Sequence, residues 1–228
     1  MPLLDLIALV IFVLSWLFYE PLLKWVSVGG HLNSNMTAVR GAWMRNMALR
    51  DNRFIDTQLM GHALNSASFF ASTNLIVIAG AAGVLFGGER SYRSVVGMAL
   101  LDPGTRMLFE LKLAVIMIII ARGLLDFIWA IRQMNYTLAA IGAAPLSAPA
   151  QDLEAYGKAV GLILNPALSA FNAGVRGYYF ALACTAWLAG PLAFMVATLG
   201  ALALLVWRQS HASAAKGVAQ IQQILEKG

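Results

Sequence analysis

The chain has 228 residues, of which 60% are hydrophobic and 12% charged, against about a quarter charged in an ordinary soluble domain. With a mean hydropathy of +0.71, this composition excludes a disordered chain, a collagen-like chain and a disulfide scaffold, and it argues against a soluble enzyme. The net charge of +5 is what a polytopic membrane protein gathers in loops facing the cytoplasm and anionic headgroups, so a lipid bilayer is the expected partner and nucleic acid is not.

One cysteine, Cys184, allows no intrachain disulfide and no thiolate metal site needing two cysteines of one chain. His31, His62 and His211 are too scattered for a histidine pair on one helix. Neither a metal nor a cofactor is expected. Met1-Pro2-Leu3-Leu4-Asp5 has no basic stretch, and no small-x-small cleavage site follows, so the first apolar run is expected to remain in the mature protein.

Four segments have the roughly 20 apolar residues that cross a hydrocarbon core as a helix. They run from about 3 to 23, 62 to 87, 107 to 136 and 177 to 207. The expected fold is all-α: an integral membrane four-helix bundle over residues 1–208 with a polar tail over 209–228. Nothing alternates as barrel strands do, and no internal repeat is visible.

The connections are taken in order. In the first, Val28 to Gly61, Met36, Val39, Trp43 and Met47 share one helical face, with Phe54 following them. Ser34 or Asn35 is the expected cap. Arg40 and Arg50 flank the face, so this amphipathic helix either lies in the headgroup layer with its arginines on phosphates or packs on the bundle. The second connection, Gly88 to Arg106, is short and basic. In the third, Gln151 to Leu164 reads as a helix ended by Asn165-Pro166. The fourth span carries Gly190-Pro191, expected as a kink. The tail shows a weak helical pattern at Val218, Ile221 and Leu225. Four spans put both termini on one side; lysines and arginines then divide seven to eight and decide nothing. The first span has none before it and Lys24 with four arginines after it, which favours a cytoplasmic first connection.

Arg122 falls near the middle of the third span, where an arginine costs several kcal/mol, from about 2.5 upward. Asp126, one turn later, is in reach for an i,i+4 pair, and Trp129 and Gln133 continue the stripe. On the second span Asn65, Ser68 and Ser72 share a face, and Asn74 lies near the depth of Arg122. Tyr19 and Glu20 lie towards the side where Asp126 points. These residues read either as a path for an ion or small solute or as a buried pair that fixes helix register. Small residues at Ala79, Gly83 and Gly87, and at Ala193, Ala197 and Ala201, suit close helix packing within the chain or in a homo-oligomer. No nucleophile elbow, phosphate loop or zinc-protease motif is present, so no enzyme is expected.

Four stretches resemble domain of unknown function 599: RGAWMRNMALRDNR (40–53), NSASFFAST (65–73), RQMNYTLAAIGAAP (132–145) and RGYYFALA (176–183). The resemblance implies a four-span integral membrane protein and supplies no activity. It draws attention to Arg40, Trp43, Arg53, Arg132, Gln133, Asn135, Tyr136, Arg176 and Tyr179. With Arg50, the arginines Arg40, Arg53, Arg132 and Arg176 beside Trp43 form a candidate patch for an anion or lipid headgroup, or fasten the loop helices to the spans. The expected function is an oligomeric channel- or transporter-like pathway in a bacterial inner membrane, or else a structural, lipid-binding or accessory subunit of a membrane complex.

Overall fold

The computed structural model describes residues 1–27, 30–98 and 101–227, so Val28, the first residue of the first connection, lies outside the described residues. Among these residues the chain is all helical, with no strand. Helix α1 (Leu3–Leu17) is followed by α2 (Tyr19–Val26), α3 (Leu32–Ala48), α4 (Phe54–Phe86), α5 (Gly88–Val96), α6 (Arg106–Gly142) and α7 (Ala150–Thr185). A short 3-10 turn (Ala186–Ala189) leads to α8 (Pro191–Ser210) and α9 (Ser213–Leu225). Three helical stretches are long and apolar enough to cross a membrane: Phe54–Phe86, Arg106–Gly142 and Pro191–Leu225. A fourth is added if α1 and α2, bent by 61° at Phe18, count as one.

The long hairpin of α6 and α7 is the spine, with α4 beside α6 and α3 on α7. At 37 and 36 residues these helices are each about 55 Å long, nearly twice a hydrocarbon core of about 30 Å. Two cores are strung along them. One joins Phe12, Ile116, Ile119, Phe180, Trp187 and Phe194. The other joins Met44, Met47, Met60, Met134, Val160 and Leu164. The first belongs to the half containing α1 and α8; the second belongs to a helical head built by α3, the start of α4, the end of α6 and the start of α7.

Two expectations change, and one open alternative is decided. The helix expected to stop at Asn165-Pro166 runs on to Thr185. Proline removes one backbone bond at Pro166, but Asn165 Nδ2 donates to Thr37 O, and packing on α3 and α6 holds the helix on both sides. The span expected over 177–207 is no kinked helix: Gly190, with φ +118°, turns the chain back, and Pro191 opens α8. That backbone conformation suits glycine, and proline suits the first helical position. The connecting helix α3 packs on α7 and α9, with Met44 and Met47 fully buried, which is the bundle-packed alternative. It starts at Leu32, where the His31 amide donates to Ser34 Oγ.

The termini lie at opposite ends. Met1 lines a small cavity with Thr105 and Met107, and Leu188 O accepts from the Asp102 amide at the same end. At the other end α9 packs on α3, and Gln209 Oε1 accepts from the Asn33 amide. The C-terminal part of α7 runs between these two ends beside α6 and α8.

Candidate functional site

The bend at Phe18 opens a cleft. Helix α1 presents Asp5, Ala8, Phe12 and Trp16 at spacings of three and four, one face of a helix, and the break carries the next positions, Tyr19 and Glu20, outward. Opposite them stand Arg122 and Asp126 on α6 and Arg176 and Phe180 on α7. Trp16, Tyr19 and Glu20 line with these four a cavity of about 470 Å³.

Two ion pairs face each other across it. Arg122 Nε sits 3.4 Å from both Asp126 carboxylate oxygens, with the arginine side chain 64% exposed. Arg176 donates to Glu20 Oε1 at 2.7 Å and lies over the Tyr19 ring, 5.2 Å from its centroid. The Tyr19 hydroxyl is buried and has no hydrogen-bond partner among the described residues. The cleft therefore carries two positive and two negative side chains, a loose pair, a tight pair and a spare phenol. A ligand with both charges would exchange for the loose Arg122–Asp126 contact at little cost, because an exposed pair is worth at most about 1 kcal/mol.

Beyond the cleft, Phe12 makes an edge contact with Phe180 at 5.9 Å and packs on Phe194, which stacks on Trp187 at 4.8 Å. On the far side of this aromatic plug lies a second polar group. Trp187 Nε1 donates to Asp5 Oδ1 at 2.6 Å. Lys112 Nζ lies 3.9 Å from the same oxygen and donates to Asp102 O at 3.2 Å. Lys112 is 1% exposed and Asp5 4%. The only local signal for this pair is a lone acid and a lone base in apolar runs.

The other expected residues scatter. Asn74 is buried, and its Nδ2 donates to Ile120 O, two residues from Arg122, so the expected depth match is met. Gln133 is buried in the head with its Nε2 unpartnered among the described residues. Asn65, Ser68 and Ser72 are exposed on α4 and do not join Arg122. Within the expected anion patch, Trp43 Nε1 and Arg50 both donate to the buried Asp56 Oδ1, at 2.7 and 2.6 Å. Arg53 donates to the carbonyls of Met47, Ala48, Ala144 and Pro145. These three fasten α3 to α4 and to the loop after α6. Arg132 is exposed and donates to Tyr136 Oη. Arg40 is 6% exposed, its Nε and Nη1 have no partner among the described residues, and burial pushes its pKa below the usual arginine value. Only Arg176 reaches the cleft.

The profile of DUF599, described as a protein of unknown function, matches residues 7–214. The chain belongs to the DUF599 family. That match takes in α2 to α8, most of α1 and the first residues of α9, and so every residue of the cleft. No curated protein and no solved structure matches the chain.

Proposed function

We propose that this DUF599 chain is a non-enzymatic, multi-pass protein of a bacterial inner membrane that binds a small solute bearing both charges and passes it along the α1 face. The observation that carries the proposal is the order of groups on that face: a cleft with two ion pairs, an aromatic plug, then the Asp5–Lys112 pair. Intramembrane charges are expensive and mark solute or ion routes. The plug is the closed state of such a route, and the bend at Phe18 is the joint about which α1 would leave it. The path lies within one protomer.

The distribution of basic residues supports an orientation. Of the sixteen lysines and arginines, eleven fall towards the end holding the head, Arg122 lies near the middle of α6, and four, Arg90, Arg93, Arg106 and Lys112, fall towards the other end. The positive-inside rule makes the head cytoplasmic, with the N-terminus outside and the C-terminus inside. Asn65, Ser68 and Ser72, turned outward on α4, favour a homo-oligomer or a larger complex, since a neighbour would satisfy a polar strip better than lipid does. The same strip favours the second reading, a structural, lipid-binding or accessory subunit.

The test is uptake of labelled glycine and glycine betaine into proteoliposomes, with thermal shifts on the purified chain. Saturable uptake is expected, abolished by Arg122→Gln and by Asp126→Asn while the helical spectrum is unchanged. Uptake equal to that of empty liposomes, with no thermal shift from either solute, would refute the proposal.

A further inference from the structure

A second cavity of about 280 Å³ lies on the other side of Arg176, between α7, the end of α8 and the first turn of α3. Its polar lining is Arg176, Arg208, Tyr179, Asn172 and Gln209, with Leu32 from α3. No carboxylate lines it. Arg208 donates to Tyr179 Oη and forms no ion pair among the described residues. Arg176 is matched by Glu20, which belongs to the first cleft and not to this one.

The amides are already oriented. Gln209 Oε1 accepts from the Asn33 amide, which leaves its Nε2 to donate. Asn172 Nδ2 donates to Asn33 Oδ1 at 2.9 Å. Leu32 is the first residue of the 17-residue α3, so the positive end of that helix's dipole adds to the two guanidinium groups. Trp207, exposed beside Arg208, and the bend at Phe18 put this cavity near the level where apolar helix gives way to polar chain.

We propose that this cavity is a binding site for a phosphate-type anion, with Arg208 and Arg176 as the charged ligands and Tyr179 and Gln209 as neutral donors. Guanidinium forks match phosphate oxygens two at a time. The site is distinct from the charge-balanced cleft and holds whether or not the solute reading does. The phosphate belongs either to the headgroup of an anionic lipid or to a free anion.

The experiment uses the full chain in neutral detergent and in nanodiscs. Inorganic phosphate is titrated against chloride at constant ionic strength, with the thermal midpoint as readout. In parallel, nanodiscs of phosphatidylcholine alone are compared with nanodiscs containing phosphatidylglycerol, and the lipid retained is identified by native mass spectrometry. A site for the free anion gives saturable stabilisation by phosphate. A headgroup site gives retained phosphatidylglycerol and stabilisation only in the second nanodisc. Either result supports the proposal if Arg208→Gln weakens it by about tenfold, the loss of one charge-assisted contact, while Arg122→Gln, on the first cleft only, leaves it unchanged. Arg208→Lys keeps the charge and loses the fork, so an intermediate loss is expected; it stands in if Arg208→Gln fails to fold. No preference for phosphate over chloride together with none for phosphatidylglycerol over phosphatidylcholine overturns the proposal, as does binding indifferent to Arg208.

Discussion

Lys112 and Asp5 show what one charge costs when its partner is removed. Both are buried, and among the described residues they are relieved by each other, by the indole N–H and ring face of Trp187 and by the Asp102 carbonyl. Lys112→Met leaves a carboxylate buried beside apolar neighbours, and Asp5→Asn leaves an ammonium. Each single change is expected to destabilise the chain by about 3–5 kcal/mol, whereas the double change costs far less than the sum, because an apolar replacement of a buried pair is often near neutral. Denaturant unfolding in mixed micelles would check the cycle; additive losses would show that the two charges do not meet. His31 offers a pH test. Burial pushes its pKa below the usual histidine value, Glu20 opposes this, and Lys24 and Arg176 add to it. The unfolded state then takes up the proton first. The contribution of His31 is complete above about pH 6.5 and is lost as pH falls from there towards the folded value. The first turn of α3 should exchange its amides faster at pH 5 than at pH 7 after correction for intrinsic rates, and His31→Gln should remove the difference.

Elements bring these residues together, and they do so through close approach. Gly157 on α7 leaves no room: a Cβ there would lie 2.6 Å from Arg45 Cα and from Met44 O. Gly157→Ala should push α3 from α7 and cost about 1–3 kcal/mol by overpacking, measured as a lower unfolding midpoint; Gly61→Ala, with open space around it, serves as the control and should change little. The apolar runs behind α1, α4, α6 and α8 were legible in the sequence because uninterrupted hydropathy is enough to find them. Helix α7 was not. Its C-terminal part carries Asn172, Arg176, Tyr178 and Tyr179, so it reads as polar chain followed by a run that merges with α8, and Pro166 suggests an end where tertiary packing carries the helix on. The candidate site shows the same division. Arg122 with Asp126 is a local i,i+4 pattern and was visible. Arg176 meets Glu20 across 156 positions, and no local pattern announces that contact.

At the scale of the whole molecule, the two termini lie at opposite ends. The proposed orientation has the N-terminus outside and the head, where most of the basic residues collect, in the cytoplasm. Ser91→Cys, beside α4's far end, should react with a membrane-impermeant thiol reagent from outside intact cells, and Glu226→Cys should react only after permeabilisation. Cys184 is buried and should stay silent in both cases. Labelling of both positions from one face would refute the proposed orientation.

The uninterrupted length of α6 and α7 has a mechanical consequence. A long continuous helix transmits tilt as a beam does, and packing on α3 and α6 keeps α7 continuous through Pro166, so a small rotation at one end is magnified at the tip of the head. Compliance is concentrated instead at the crook after Leu17, on the wall of the larger cavity. Whatever settles there gains leverage over the first helix, while the spine stands as the fixed post against which it swings.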